Sequence, residues 1–558
     1  MNASAAPPLQ GSLASWCGQT VAGVIRAQAS DRPQARAFRM VGEPALTYAQ
    51  LYDESRALAA GLRAAGIGRG DTVAIFGPNS REAVLCWLAV NLLGAVEVCI
   101  NTAYRGAPLL HALNSSQARH IVVHADLLPL VQELCGQLAC LEHAHVFGGC
   151  VPEALAEPLR TSDFAALRRS VTPLDVMDSE EERVAASDIA SIIYTSGTTG
   201  PAKGVLMPHA QVCLLAAMSA RGLKLTHEDV FYCFHPMFHM AGKFMAVLGT
   251  WMAGGEVVLD RSFEAAQWLA RVREVGATAG LAHGPMVEMI HAQPARPDDR
   301  DNPMRRMIAA PFPTRIAHDF EQRFGLRGVE VWGMTEVGVP VWCALDEPLR
   351  LGSCGRADEE LFEVEVVDPA TDAVLGPNEV GELVVRPRRP WLLMQGYIGL
   401  PEETLSTWRN LWFHSGDSAY RDAEGNYFFV DRQKDRIRRR AENISSYEIE
   451  SQSLTHLAVA EAAAVGVPSG FEGDDDIKLC VVIHPQASFD PAEFLEHLAS
   501  QLPHHMLPRY IETLSALPRT PTNKVRKAEL RQRSVDAATV WDRKAANIRI
   551  KDLYAQRS

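Results

Sequence analysis

The sequence has little that would place it in a membrane or hold it together through cysteine chemistry. No segment contains about 18 uninterrupted apolar residues, so no membrane span is expected. The 11 cysteines are dispersed among 558 residues without a C-x-x-C pair or a His/Cys cluster. This indicates reduced thiols in a cytoplasmic protein rather than a disulfide framework or a zinc site. The N-terminus lacks a basic head before an apolar run, so we expect no secretory signal.

An excess of positive charge is also missing. The formal net charge is −13, which argues against nucleic acid or an anionic membrane as the main partner. A bound nucleotide would therefore need a local positive pocket. Because 558 residues exceed what one compact core usually holds, two or more domains are expected.

One loop concentrates the residue types that bind phosphate. An apolar run at 189–193 predicts a buried strand, and residues 194–205 then supply three glycines, four Ser/Thr hydroxyls and one lysine, Lys203. Glycines let a backbone approach a polyanion, so that its N–H groups point at phosphate oxygens. A Gly/Ser/Thr surface loop is the alternative interpretation. A P-loop is disfavoured because Ala202 and Gly204 flank Lys203, where that motif needs a glycine and a hydroxyl.

Strands and helices alternate around this loop, which predicts an α/β fold with parallel sheets. A capping box at Thr47 and Gln50 opens a helix that ends at Gly66. The polar stretch 150–188 is interpreted as a connector, and short strands near 362–385 indicate a small antiparallel subdomain. The remaining expected elements are strands at 72–76, 95–100, 119–124, 329–331, 460–467 and 477–483, and helices at 81–93, 208–218, 447–454, 491–500 and after 531.

Further motifs follow the loop in order. They lie at residues 234–242, 309–311, 332–336, 412–417, 431–435 and 517–527. The flat ring of Trp332 suits a flat base, and Glu336 offers a hard carboxylate oxygen to a hard cation. The carboxylate of Asp417 can accept two hydrogen bonds from a diol. Each motif alone also fits a turn, a helix cap or a charged surface loop.

Taken together, these motifs resemble those of the acyl-adenylate-forming superfamily of acyl-CoA synthetases, luciferases and peptide-synthetase adenylation domains. The wording at 435–448 and 507–512 is most similar to the crotonobetaine/carnitine–CoA ligase group. The resemblance implies a large N-terminal domain, 1–433, of parallel-sheet subdomains plus a small antiparallel subdomain. A small mobile α+β lid domain, 434–558, would carry the catalytic lysine. The implied reaction uses ATP and Mg²⁺ to convert a carboxylic acid to acyl-AMP, and coenzyme A then accepts the acyl group.

The resemblance also assigns roles to individual residues. Lys524 would pair with the α-phosphate and the acyl carboxylate, His239 would lie beside the carboxylate substrate, Thr335 would contact phosphate, and Glu336 would hold Mg²⁺. Trp332 would pack on adenine and Asp417 would bind the ribose hydroxyls. The other expected ATP- and CoA-binding positions are Thr195, Ser196, Gly197, Thr198, Thr199, Gly200, Lys203, Ala310, Glu330, Arg432, the hinge residue Lys434, Arg438, Arg440 and Ala441.

Ala441 keeps a second reading open. Relatives have glycine at this position, where it lines the pantetheine tunnel of acyl-CoA synthetases, and a methyl group there would crowd the thiol. An adenylate-forming ligase that passes its acid to an amine is therefore the alternative. A nucleotide-binding protein without turnover is disfavoured because Lys524, Glu336 and Asp417 are all present. Neither nucleic acid nor a membrane is an expected partner, and a homodimer is the default assembly.

Overall fold

The chain divides into two compact units, each described separately below. A computed structural model describes residues 13–150, 159–167, 181, 183–195, 201–432, 437–439, 442–444, 446–469, 475–502, 504–520, 524–550 and 553. The predicted domain boundary between 433 and 434 lies outside these residues. The first unit comprises Met1–Glu365, Val384–His414 and Asp422–Phe428, and the second comprises Val366–Leu383, Ser415–Arg421 and Phe429–Ser558.

One sheet of the first unit contains the strands on either side of the glycine-rich loop. Its eight strands run in the order Gly396–Tyr397, Lys203–Pro208, Ile189–Thr195, Val96–Cys99, Thr72–Phe76, His120–His124, His143–Phe147 and Arg160–Asp163. The six strands from Ile189–Thr195 onward are parallel. The two strands before it in this order add antiparallel pairs. The glycine-rich loop therefore connects the two antiparallel strands Ile189–Thr195 and Lys203–Pro208 and does not lead directly into a helix.

A second sheet of the same unit has seven strands. Their order is Arg327–Val329, Arg306–Ala310, Ala279–His283, Val230–Cys233, Glu256–Leu259, Arg36–Met40 and Leu46–Thr47, and only the last pair is antiparallel. Buried Trp268, Phe312, Phe320 and Phe324 belong to the core against this sheet. Parallel strands buried on both faces place their carboxyl ends along one edge, where ligands commonly bind.

Short antiparallel strands follow along the chain, some in the first unit and some partly in the second. Val331–Met334, Gly338–Trp342 and Ser353–Ala357 pair in sequence, and Ser353–Ala357 also pairs with Tyr427 and Phe428. The remaining strands of this region are Phe362–Val367, Gly381–Pro387, Trp408–Arg409, Trp412–Arg421 and Tyr427–Arg432. The α/β class, with parallel sheets and an antiparallel part, is confirmed.

Most helices of the first unit pack around these sheets. Thr47 and Gln50 form the predicted capping box at the start of Tyr48–Ala64. The helix Ala241–Leu248 is a π-helix. The remaining helices and helical turns are Leu13–Gly18, Val21–Asp31, Arg81–Leu92, Gly106–Ser115, Ala125–Leu127, Leu128–Gln132, Cys135–Gln137, Phe164–Leu167, His209–Gly222, Gly249–Met252, Trp268–Val275, Gly284–His291, Ala317–Phe324 and Pro401–Thr407.

The second unit is a small α+β assembly. Its four-stranded sheet has the order Val459–Pro468, Asp475–Ile483, Tyr510–Leu514 and Val540–Asp542. Ile437–Arg439 and Glu442–Ile444 form a separate two-stranded pair. The helices are Ser446–Ser453, Pro491–Gln501, His504–Met506 and Lys527–Gln532. Phe494, Leu495 and Leu498 lie in its core.

Three local predictions were wrong. The connector at 150–188 contains Arg160–Asp163 and Phe164–Leu167, because a polar strand can pair at a sheet edge without burying a face. The tail after 531 includes Val540–Asp542 rather than a continuous helix, because this segment pairs with Tyr510–Leu514. The predicted strand at 329–331 is two strands, since one part belongs to a parallel sheet and the other to an antiparallel hairpin. None of the described helices is long and apolar enough to cross a membrane.

Candidate active site

The two strands beside the glycine-rich loop bring Thr195 and Lys203 opposite each other. The two residues are partners in the antiparallel ladder, and Thr195 Oγ1 lies 3.4 Å from the Lys203 carbonyl oxygen. Ser196, Gly197, Thr198, Thr199 and Gly200 lie outside the described residues. The structure therefore shows the base of the loop and both strands that hold it.

The side chain of Lys203 is held by two groups from a later part of the chain. Its ammonium forms an ion pair with Glu403 and lies 5.0 Å from the centre of the Tyr397 ring. These groups meet because Gly396–Tyr397 pairs antiparallel with Lys203–Pro208. A cation over an aromatic face is attracted by the negative potential of the ring. Lys203 is thus restrained near the loop.

Glu336 is buried and lies beside the same tyrosine. Tyr397 Oη donates a hydrogen bond of 2.9 Å to Glu336 Oε1. The Glu336 carbonyl accepts from Gln211 Nε2 at 3.1 Å and from Met394 N at 2.8 Å, while the Thr335 carbonyl accepts from Gln211 Nε2 at 2.9 Å. Glu336 is therefore held through both its backbone and its side chain, and Thr335 through its backbone.

Trp332 lies on the antiparallel hairpin that leads to Glu336. Trp332 is only 6 % exposed. The next residue, Gly333, lies close to the facing strand. A Cβ atom at Gly333 would lie 2.2 Å from the carbonyl oxygen of Gly338, so a larger residue would push the two strands apart. The hairpin geometry therefore requires glycine after this tryptophan.

The carboxyl ends of the second sheet place three further predicted or neighbouring residues along one edge. Ala310 ends one strand, His283 ends the adjacent one, and the two are partners in the ladder. His283 Nδ1 lies 3.3 Å from the Ala310 carbonyl oxygen. Glu330 directly follows the strand Arg327–Val329. This edge is where the parallel-sheet rule places a ligand site.

Glu330 is an unusual carboxyl group. Burial raises its pKa to about 8, although a hydrogen bond from the backbone of Phe312 partly lowers the pKa again. Desolvation disfavours the charged form, so the neutral acid predominates at pH 7. A neutral carboxyl group can both donate and accept a hydrogen bond.

Three histidines cluster near the same edge. The rings of His235 and His283 have centroids 4.7 Å apart, and those of His239 and His283 are 5.8 Å apart. His235 is fully buried, and neither ring nitrogen has a hydrogen-bond partner in the part of the chain that the structure describes. Burial lowers its pKa well below the usual value, so this imidazole is neutral. The side chain of Asn79 fixes this turn, because its Nδ2 donates to His235 O at 3.0 Å and its Oδ1 accepts from Met237 N at 2.9 Å.

Asp417 belongs to the second unit and is likewise buried. Its backbone N donates to Ser415 Oγ at 3.0 Å, and Gly416 N donates to Glu382 Oε1 at 3.0 Å. Gly416 has φ +68°, a conformation that favours glycine directly before the aspartate. The turn at 415–417 is therefore fixed by its neighbours before any ligand binds.

Lys524 lies on a hairpin loop of the second unit and its side chain is exposed. Thr520 N donates to the Lys524 carbonyl at 2.7 Å, and Lys524 N donates to Thr520 Oγ1 at 3.0 Å. Arg519 and Val525 form an isolated bridge across this loop. The backbone of the loop is held by these bonds, and Lys524 is exposed.

The remaining predicted positions are only partly described. Arg432 ends the strand Tyr427–Arg432, and Arg438 lies in Ile437–Arg439, but their side chains are outside the description. Lys434, Arg440 and Ala441 lie outside the described residues altogether. Their expected roles stay predictions.

Sequence reasoning missed four residues that the fold adds to this region. Tyr397, Glu403, Gln211 and His283 approach the predicted positions only after strands and helices have packed. A Gly-Tyr pair followed by an acidic helix start at Pro401 is the local signal for the first two. It does not indicate contact with Lys203, because Glu403 lies 200 residues further along the chain.

The comparisons with known proteins agree with the motifs. The AMP-binding enzyme family matches residues 25–398, and the AMP-binding enzyme C-terminal domain matches residues 448–524. Because the first match alone covers more than half of the sequence, the chain belongs to the AMP-binding enzyme family. The family resemblance predicted from the motifs is confirmed.

Similar proteins and structures include several acyl-CoA ligases. A crotonobetaine/carnitine–CoA ligase of Salmonella paratyphi A is 29 % identical over 495 residues, or 87 % of this chain and 93 % of that protein. The anthranilate CoA ligase AuaEII in complex with anthranoyl-AMP has a TM-score of 0.83 at 23 % identity, covering 93 % of this chain and 98 % of that one. ATP-bound MatB from Rhodopseudomonas palustris has a TM-score of 0.79 at 24 % identity, covering 92 % and 99 %. These similarities confirm the fold over nearly the whole chain.

Proposed function

We propose that this protein is an acyl-CoA synthetase that activates a carboxylic acid with ATP and transfers the acyl group to coenzyme A. The observation that carries this proposal is the cluster of Lys203, Tyr397 and Glu336 beside the glycine-rich hairpin. A cation and a carboxylate that both contact one tyrosine beside such a loop suit a magnesium–triphosphate ligand. The names of the similar ligases support the same reaction.

In the first half-reaction, an oxygen of the acid's carboxylate attacks the α-phosphorus of ATP. The new O–P bond forms as the bond from that phosphorus to the bridging oxygen of pyrophosphate breaks. Two anions must meet, so the barrier is largely electrostatic and positional. Lys203 and Lys524 supply positive charge, Thr335 contacts phosphate, and His239 lies beside the acid in this proposal.

The residues present fit Mg²⁺ at Glu336. Its carboxylate is a hard oxygen donor, and the hydrogen bond from Tyr397 orients it. Bound there, Mg²⁺ would neutralise part of the charge on the ATP phosphates. The hydrogen bond from Tyr397 to its side chain and those from Gln211 and Met394 to its carbonyl hold Glu336 in place.

Nucleotide recognition is divided among the remaining predicted residues. Trp332 packs on adenine, Glu330 and Ala310 border the base, and Asp417 accepts hydrogen bonds from the ribose hydroxyls. Arg432 contacts ribose or phosphate. In the second half-reaction the CoA thiolate attacks the acyl carbonyl carbon and AMP leaves, with rotation about Lys434 bringing Arg438, Arg440 and Ala441 to the CoA side.

ATP–pyrophosphate exchange across a panel of acids tests the first half-reaction. The panel should contain short, zwitterionic, aromatic and amino acids, and at least one should support exchange. Product analysis with and without CoA then tests the second half-reaction, for which we expect CoA-dependent release of AMP and a thioester. Absence of exchange with every class of acid would contradict the proposal.

An amine acceptor is the second candidate, and Ala441 is the feature that favours it. A methyl group in place of the glycine expected there costs roughly 1 kcal/mol or more if the backbone needs a positive φ. CoA-independent release of AMP together with an amide product would establish this alternative. Formation of the thioester at a comparable rate to adenylation would remove it.

Two further expectations belong to the same proposal. None of the 11 cysteines, all of which lie in the described parts of the chain, forms a disulfide, which suits a reducing, cytoplasmic location. A homodimer stays a prediction, and light scattering of the purified protein tests it.

A further inference from the structure

Tyr397 contacts two residues that the proposed reaction needs, yet no motif pointed to it. Its hydroxyl donates to Glu336 Oε1 at 2.9 Å, while its ring centre lies 5.0 Å from Lys203 Nζ. The side chain is 7 % exposed. One buried aromatic residue therefore lies between the carboxylate expected to hold Mg²⁺ and the lysine expected to bind phosphate.

The backbone of Tyr397 is fixed from two sides. Its strand pairs with Lys203–Pro208, with Tyr397 opposite Val205. Its N–H donates to Thr404 Oγ1 at 2.9 Å, and that hydroxyl donates to the Leu400 carbonyl at 2.9 Å. The ring is therefore positioned by main-chain contacts rather than by the residues that it contacts.

The chemistry of the phenol suits a hydrogen-bond donor. In the structure its hydroxyl donates to Glu336 Oε1, and the residue is buried. A hydrogen bond donated to an ionised carboxylate is stronger than one between neutral groups. The ring face attracts the ammonium of Lys203 independently of that bond.

We propose that Tyr397 is a positioning residue that holds the Glu336 carboxylate and the Lys203 ammonium in register for the metal–nucleotide complex. This inference rests on the proposed adenylation function. Through its hydroxyl, Tyr397 acts on the metal-binding carboxylate. Through its ring, it acts on the phosphate-binding lysine.

Two substitutions separate these contributions. Tyr397→Phe removes the hydroxyl and keeps the ring, whereas Tyr397→Leu removes both. Tyr48→Phe is the matched control, because Tyr48 is also buried and its hydroxyl donates at 2.7 Å to a carbonyl, that of Gly255. All three variants are first compared with the wild type by thermal unfolding.

Calorimetric titration with ATP, in the presence and in the absence of Mg²⁺, gives a readout that does not depend on turnover. For Tyr397→Phe we expect ATP affinity without Mg²⁺ to match the wild type, while the enhancement by Mg²⁺ falls roughly tenfold, as for loss of a hydrogen bond to a charged group. For Tyr397→Leu, affinity without Mg²⁺ should fall as well. Tyr48→Phe should change only the unfolding temperature.

The exchange assay separates failure of this inference from failure of the proposed function. If the wild type exchanges pyrophosphate and Tyr397→Phe shows the wild-type Mg²⁺ dependence, the role of Tyr397 is wrong while adenylation stands. A uniform loss of affinity and stability in Tyr397→Phe, like that of a structural tyrosine, would also overturn it. A wild type that exchanges with no acid would overturn both.

Discussion

Lys243 and Glu97 form an ion pair in the interior of the first unit, where their side chains are 2 % and 1 % exposed. Lys243 lies on the π-helix that follows His239, and Glu97 lies on the strand next to Ile189–Thr195. Ser191 Oγ donates to Glu97 Oε2 at 3.0 Å. Through Ser191, the pair thus links the strand that leads into the glycine-rich loop with the helix after the histidine motif.

Removing one partner of this pair should be costly. Lys243→Met leaves the Glu97 charge buried and unpaired, and such changes typically cost about 3–5 kcal/mol of unfolding free energy. Lys243→Met combined with Glu97→Gln should recover most of that loss, because the double variant buries no charge and keeps an acceptor for Ser191. Denaturant unfolding of the two variants measures the difference. Equal stability of the single and double variants would contradict this account.

Lys524→Ala should slow adenylation without affecting folding. Loss of one charged group that stabilises a transition state typically lowers the rate roughly 10²- to 10³-fold. Since the Lys524 side chain is exposed, the unfolding temperature should not change. Pyrophosphate exchange measures the first half-reaction, and thioester formation from supplied acyl-AMP should be much less affected.

Lys544→Ala is the control for that experiment, because Lys544 is another largely exposed lysine of the second unit. It should retain the wild-type exchange rate. An undiminished rate in Lys524→Ala would refute the proposed role of Lys524.

Glu330 should make ATP binding sensitive to alkaline pH. Its pKa is raised to about 8 by burial, so the carboxyl group gains its charge as the pH rises through that value. A negative charge at the proposed adenine site disfavours an anionic nucleotide, and the KM for ATP should increase between pH 7 and 9. Glu330→Gln mimics the neutral acid and should match the wild type at pH 7 but show a flatter profile. Parallel profiles for both proteins would exclude this role.

Stability of the first unit should fall in mild acid because of His209. This residue is fully buried, accepts a hydrogen bond from Val21 N at 3.3 Å, and has a pKa lowered to about 4 by burial. In the unfolded chain this histidine binds a proton near pH 6.5, whereas in the folded chain it does not. The free energy of unfolding is therefore highest above pH 6.5 and falls as the pH drops below it. The expected loss between pH 7 and 5 is about 2 kcal/mol.

His209→Asn tests this expectation, since an amide oxygen can replace Nδ1 as the acceptor but does not titrate. Its unfolding free energy should change less with pH than that of the wild type. The exposed His318 provides the control, and His318→Asn should keep the wild-type slope. If His209→Asn is as acid-sensitive as the wild type, the loss arises elsewhere.

Much of the fold could be predicted because its signals are local. The Thr47 capping box, the apolar strand before the loop and the strand–helix alternation each depend on neighbouring residues, and the structure contains all three. Polar edge segments such as Arg160–Asp163 could not be predicted, because their strand conformation comes from pairing with a distant segment. The end of one strand and the start of the next at Glu330 were missed for the same reason. Val329 before it pairs in a parallel sheet, whereas Val331 after it pairs in an antiparallel hairpin.

The sequence by itself determined the family and the order of the chemical groups. The spacing of the glycines, hydroxyl residues, lysines and carboxylates can be read directly from the residue order. Only the tertiary structure decided which side chains surround them. Tyr397 reaches Lys203 and Glu336 because an edge strand pairs antiparallel with Lys203–Pro208. Glu330 has a raised pKa because packing removes it from water. Contact across distant segments and desolvation are properties of packing, which residue order alone does not display.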